Sequence, residues 1–346
     1  MFKKLEIENF RGIRTSVIDN MSQVNLLFGK NNSGKSSILE ALLLISGQSN
    51  PTLPLNVNGL RGYTSFAESD LLLDFYNLQA EKITIAADGE VTRSLEITPF
   101  QSNDKNISLA DLGQHGSQQE ITSYGLRLNY KLGNDSFSSI FLVTKKNETE
   151  GKATVDKRYK EKLYAEYLPA SYIQIPVVEQ YARIVADKQE ETVVEILRAI
   201  EPKIKDLQLV GNQLLVDIGL ERRLPINVMG DGVRKMLSIV LCMHRCRNGI
   251  LLIDEIDNGF HHSVMANLWE AVFMSAAANN TQVFVTTHNI ESVKEMITML
   301  RNEKNESYRS MLSAYKLIKD STDKVENVRF QYEQIDYSIK QEMEIR

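Results

Sequence analysis

Apolar positions in the first sixty residues change period as the chain proceeds. Leu5, Ile7 and Phe10 mark a short strand that turns at Arg11-Gly12, and Val24 to Phe28 is a short apolar run of strand length. From Lys35 the spacing becomes helical. Ile38, Leu39, Leu42, Leu43 and Ile45 fall at i, i+3 and i+4 until Gly47 and Ser49-Asn50-Pro51 end the run. Between about Arg61 and Pro169 alternation dominates, at Lys82 to Ala86, Ser94 to Thr98, Tyr124 to Leu132 and Ser138 to Val143, with polar stretches between them. Two helical segments follow, Val178 to Lys188 and Glu190 to Ile204, then a hairpin around Gly211-Asn212. The remaining chain alternates helix and strand: Val233 to Arg247, Gly249 to Asp254, Ser263 to Ala278, Gln282 to Thr286 and Ile290 to Leu300. A strand-rich end and a helix over Tyr337 to Met343 complete it.

This order predicts an α/β fold with a parallel sheet. Residues 1–60 form one half of a core, 61–170 an inserted antiparallel β lobe, 171–206 a small helical lobe and 207–346 the second half. A length of 346 residues suits several lobes rather than one core. Two cysteines are too few for a disulfide scaffold, and a net charge of −5 argues against a globally basic surface. No apolar run reaches membrane-spanning length, and MFKKLEIENF lacks the apolar stretch of a signal peptide, so a cytoplasmic location is expected.

Four segments carry chemistry. Gly29-Lys30-Asn31-Asn32-Ser33-Gly34-Lys35-Ser36 fits G-x-x-x-x-G-K-[ST] between a predicted strand and helix. The glycines let the backbone N–H groups face a phosphate, and the helix N-terminus adds a favourable dipole. Lys35 would reach the β- and γ-phosphates and Ser36 would bind Mg²⁺, with Ser37 next along the cradle. The strand Ile250 to Ile253 delivers Asp254 and Glu255 to its C-terminal end, where Asp254 could hold hydrated Mg²⁺ and Glu255 could act as a general base. His288, in Thr286-Thr287-His288 after the strand Gln282 to Val285, could donate to a γ-phosphate and report its loss. Gly230-Asp231-Gly232 opens a helix and suits an anion, or is an ordinary helix start with Asp231 near its N-terminus.

The succession IENFRGI, GKNNSGKS, a large insertion, MGDGVRK, ILLIDEIDNGFH and TTH resembles ABC-type ATPases of the RecF/SMC kind. The likeness is strongest to the ATPase part of OLD nucleases and to small stand-alone AAA-family ATPases. It implies a Mg²⁺-dependent ATPase working as a homodimer or higher oligomer. Arg11 would lie near the phosphates, Asp254 would be the Walker B acid, Glu255 the catalytic base and His288 the switch histidine. Asp257 would cross a dimer interface, and Gly230 to Gly232 would stand for the signature, here MGDGV rather than an LSGGQ-like string. Gln174 is the candidate for the glutamine expected near the metal. The residues after His288 are too few for the second catalytic domain of OLD nucleases. A sensor or scaffold subunit with a separately encoded effector, in defence against phage, is therefore the expected role. A RecF-like repair ATPase that binds DNA directly, or a transporter-associated ATPase subunit, are the alternatives. The segment Lys145 to Lys162, with seven basic and four acidic residues, is either a solvated hairpin face or a nucleic-acid contact. Cys242, His244 and Cys246 do not converge on one ion when placed on a helix.

Overall fold

All five positions of Val24–Phe28 (β3) are buried, which places this strand inside a sheet covered on both faces. The computed structural model describes residues 1–61, 81–101, 123–145, 149–170 and 176–341. In it β3 runs parallel to Gln282–Thr287 (β14) on one side and Leu312–Lys319 (β15) on the other. Next to β14 lies Ile250–Ile253 (β13), and Ala165–Leu168 (β9) forms the edge, again parallel. Residues alternate between two cores. Val24, Leu26 and Phe28 belong to one, while Leu27 packs with Ile38, Leu42 and Ile45 of α1 (Lys35–Ser46) in the other. The first core also holds α5 (Asp231–Arg245), α6 (Met265–Asn279) and α7 (Ile290–Arg301). Met265, Trp269 and Phe273 of α6 are buried there.

The antiparallel part is continuous with this parallel run. β15 pairs with Lys324–Phe330 (β16), β16 with Ile13–Ile18 (β2), β2 with Phe2–Phe10 (β1), and β1 with Ile83–Gly89 (β4). The strands Arg93–Gln101 (β5), Ser123–Leu132 (β6), Asp135–Lys145 (β7) and Thr149–Thr154 (β8) then extend the same sheet. The insertion thus shares a sheet with the core, and its last strand, β9, returns to the opposite, parallel edge. Asp206–Val210 (β10), Gln213–Asp217 (β11) and Leu224–Pro225 (β12) make a separate small sheet, its hairpin turning at Gly211 with φ 57°.

Several boundaries differ from the sequence expectation. The helix expected over Glu190 to Ile204 (α4) stops at Arg198, because Pro202 disfavours helix before it and Arg198 turns back to donate to the carbonyls of Ile204 and Lys205. The terminal helix (α8, Tyr332–Lys340) begins five residues early, where Gln331 and Gln334 form a reciprocal cap. Leu53–Gly59 (α2) was not anticipated, and the preceding helix of the helical segment is Val177–Ala186 (α3).

Candidate functional site

The glycine-rich loop follows β3 directly. Gly29 has φ 145°, and a Cβ there would fall 2.7 Å from the carbonyl oxygen of Leu317, so β15 itself dictates glycine. Asn32 and Gly34 also take positive φ, 64° and 94°, which curls the loop into the start of α1. Across this curl, the buried Lys35 ammonium donates to the carbonyls of Gly29 (3.0 Å) and Lys30 (2.8 Å). Burial pulls the Lys35 pKa down, while Asp254 and Glu255 push it back up. The Ser33 hydroxyl is buried in the loop without a hydrogen-bond partner among the described residues. A curled loop with an unanswered buried hydroxyl and a cation across it fits a phosphate chain.

Beside it, Ser36 Oγ donates to Asp254 Oδ1 at 3.1 Å. Thr286 Oγ1 donates to the same oxygen, and the Tyr167 hydroxyl donates to Oδ2 at 3.0 Å. Tyr167 lies on β9, where burial pushes its phenol pKa up, as does the nearby Asp254 charge, so it stays a donor. A hard oxygen set of carboxylate and hydroxyl suits Mg²⁺. Glu255 has a left-handed backbone, φ 47°, rare for a residue other than glycine. Its N–H donates to Thr286 Oγ1 at 2.8 Å, and its Oε1 lies 3.5 Å from His288 Nδ1. One sheet edge therefore gathers Lys35, Ser36, Asp254, Glu255 and His288. Phe28, Gly29, Lys30, Asn31, His288 and Asn289 line a cleft beside it.

Other expected residues are placed differently. Arg11 sits in the β1–β2 turn with φ 55° and shares a pocket with Asn32, Gly34 and Ser37, but its Nε donates to the buried Glu40 carboxylate at 3.1 Å. Arg61, which the sequence did not single out, grips the other Glu40 oxygen at 2.6 Å and reaches Ser37 Oγ at 3.3 Å. Asp257 is buried within its own chain and accepts from Thr287 Oγ1 at 2.6 Å, where the loop after β13 folds back onto β14. Gln174 lies outside the described residues.

Gly230 caps α5 with an extended backbone, and Asp231 opens the helix with its side chain 79% exposed and paired to Arg234. A Cβ on Gly230 would meet nothing within 4 Å among the described residues, while one on Gly232 would approach Phe260 at 3.5 Å. One turn further, Lys235 donates to the carbonyls of Glu255 (3.2 Å) and Asn258 (2.6 Å). Burial lowers its pKa to about 8 against the opposing pull of Asp257, Glu255 and Asp254. Sequence reading passed over Lys235 and Tyr167, since nothing in residue type or period marks them.

The remaining candidates have local partners. His244 pairs with Asp187 at 2.9 Å, and Cys242 and Cys246 are buried thiols whose pKa values burial raises. The rings of His261 and His262, after the loop that follows β13, lie tilted against each other with centroids 4.1 Å apart. In the basic segment, Arg158 pairs with Asp156, and Glu161 with Arg93. None of the described helices is long and apolar enough to cross a membrane.

The family model described as "AAA domain, putative AbiEii toxin, Type IV TA system" matches residues 24–294. An ATP/GTP phosphatase of Helicobacter pylori is 26% identical over 344 residues, spanning 91% of this chain and 92% of that protein. The SMC head bound to the C-winged helix domain of ScpA superposes with a TM-score of 0.54 at 14% identity, covering 98% of this chain and 99% of that one. The SMC head from Pyrococcus furiosus with an extended coiled coil, bound to the C-terminal domain of ScpA, gives 0.52 at 11% identity and covers 98% of both chains. These two likenesses describe the fold. The chain belongs to this AAA family, and it is a P-loop ATPase built on the ABC-type fold of SMC heads.

Proposed function

We propose that this ATPase is a nucleotide switch that closes by pairing two copies, each supplying part of every ATP site. The observation that carries this reading is the open turn at the start of α5. Among the described residues nothing lies within 4 Å of a Cβ built on Gly230, and Asp231 is mostly exposed, so this second helix N-terminus stands open to the described part of its own chain. Lys35 and the Gly29–Ser36 loop already cradle one phosphate chain, so this second turn suits the γ-phosphate held by another copy. Arg234 offsets the charge of Asp231 there.

Within each site Lys35 would neutralise the β- and γ-phosphates. Ser36 and Asp254 would hold Mg²⁺, which shields phosphate charge when bound. Glu255 would take the proton of the attacking water, and His288 beside it would donate to the γ-phosphate and lose that partner on hydrolysis. ATP drives closure only through its better binding to the paired state. The biological role we infer is a sensor or scaffold subunit acting with a separately encoded effector in defence against phage. The family description, a toxin of a type IV TA system, supports a role among several components, and the solved SMC heads are bound to ScpA. Direct DNA binding is less supported, because Arg158 and Arg93 in the β lobe are paired with carboxylates of their own chain.

Light scattering of the wild type and Glu255→Gln, with and without Mg-ATP, tests this reading together with phosphate release. Glu255→Gln should accumulate a larger ATP-bound species and lose hydrolysis. A mass indifferent to nucleotide with normal turnover would overturn it.

A further inference from the structure

We propose that Lys235 is a positioning residue that holds Glu255 in its left-handed backbone and so ties the Gly230–Gly232 turn to the hydrolytic step. The inference rests on Glu255 acting as the general base. A non-glycine residue with φ 47° costs roughly 1–2 kcal/mol, so the surroundings must supply the restraint. Two side chains clamp the backbone of this residue, one on each side of its Cα. Thr286 of β14 accepts from the Glu255 N–H at 2.8 Å, and Lys235 of α5 donates to the Glu255 carbonyl at 3.2 Å. The same ammonium reaches the Asn258 carbonyl at 2.6 Å and lies 5.5 Å from the centre of the Phe260 ring. Phe260 in turn is the nearest side chain to Gly232.

The loop from 255 to 260 is therefore stitched to the first two turns of α5 by one ring and one cation. Asn258 adds a third tie on the other side, donating to the carbonyl of Ala170 at 3.1 Å. An anion arriving at Gly230–Gly232 acts on a helix whose next turn already grips the backbone of the base. Lys235 donates to loop carbonyls and not to the Gly29–Ser36 cradle, so its loss should change the rate of the chemical step and leave nucleotide affinity in place.

The test compares Lys235→Met, which keeps the aliphatic length against Phe260, with Lys235→Arg, which keeps the charge and donors. Phosphate release gives kcat and KM for Mg-ATP, and titration with ATPγS gives nucleotide affinity. Lys235→Met should lose at least tenfold in kcat with KM and affinity within about threefold of wild type, and Lys235→Arg should recover most of that loss. Lys235→Met with wild-type kcat, or Lys235→Arg as impaired as Lys235→Met, overturns the inference. Should Lys235→Met fail to fold, the kcat of Lys235→Arg alone decides. Glu255→Gln run beside them separates the two readings. If it is inactive while Lys235→Met is fully active, the base stands and only the positioning role falls. If it hydrolyses ATP normally, the base assignment falls instead.

Discussion

Ser36 and Asp254 stand 218 residues apart in the chain, yet the hydroxyl of one donates to the carboxylate of the other at 3.1 Å. The parallel pairing of β3, β14 and β13 brings them together, since strand ends that share a direction deliver their following residues to one edge. An ion entering between the two would replace this hydrogen bond. Ser36→Ala and Asp254→Asn should each raise the Mg²⁺ concentration needed for half-maximal hydrolysis, Asp254→Asn by more because it removes the charge. A Mg²⁺ titration of phosphate release at saturating ATP measures this. Unchanged half-maximal concentrations would remove both residues from the metal site.

Tyr167→Phe isolates the third donor to Asp254. Its hydroxyl holds Oδ2 at 3.0 Å from the partly buried edge strand β9, and removal leaves a largely buried carboxylate oxygen without that donor. The expected cost is roughly 1–3 kcal/mol of folding stability, read from urea unfolding in the absence of Mg²⁺. Added Mg²⁺ with nucleotide should recover part of it, because a bound cation supplies the missing charge partner. A loss that nucleotide and metal leave untouched would show that the hydroxyl serves the fold and not the metal site.

How much of this site could be read in the sequence depends on the range of each interaction. The loop from Gly29 to Ser36 was legible because glycine positions, strand and helix all lie between Val24 and Ser46. Asp254, Glu255 and His288 were legible because each ends an apolar strand. Lys235 and Tyr167 were not, since their roles depend on which neighbour α5 and β9 meet after folding. The hydrogen bond between Asp257 and Thr287 was hidden for the same reason: only the pairing of β13 with β14 brings the two together. The continuity of the β lobe with the core was equally hidden. It rests on β1 pairing with β4, a contact that no local period encodes.

The β lobe offers a stability test away from the nucleotide. Arg93 and Glu161 form a two-pronged pair at 2.9 and 3.0 Å, largely buried beneath Tyr159. Arg93→Ala leaves the Glu161 carboxylate without its cation and should cost about 3–5 kcal/mol in denaturant unfolding. The double change Arg93→Met with Glu161→Leu should be milder than Arg93→Ala, because no charge is then left unpaired. A double variant as unstable as the single one would mean that packing, not the ion pair, sets the cost.

Lys235 also carries a pH signature in stability. Burial lowers its pKa from the ordinary 10.5 to about 8 in the folded chain. Between these two values the unfolded chain holds the proton and the folded chain does not, so unfolding takes up a proton and stability rises with pH. This contribution is fully present above about 10.5 and is lost as pH falls through about 8. Lys235→Met lacks it. The difference in unfolding free energy between wild type and Lys235→Met should therefore shift in favour of wild type by roughly 1.4 kcal/mol per pH unit inside that window. Urea unfolding of both proteins at pH 7.5 and pH 9.5, about as wide a span as the native chain should tolerate, measures it. A difference that stays constant across the two conditions would mean that the ammonium is not desolvated between α5 and the loop after β13, and that its grip on Glu255 is looser than the hydrogen bonds imply.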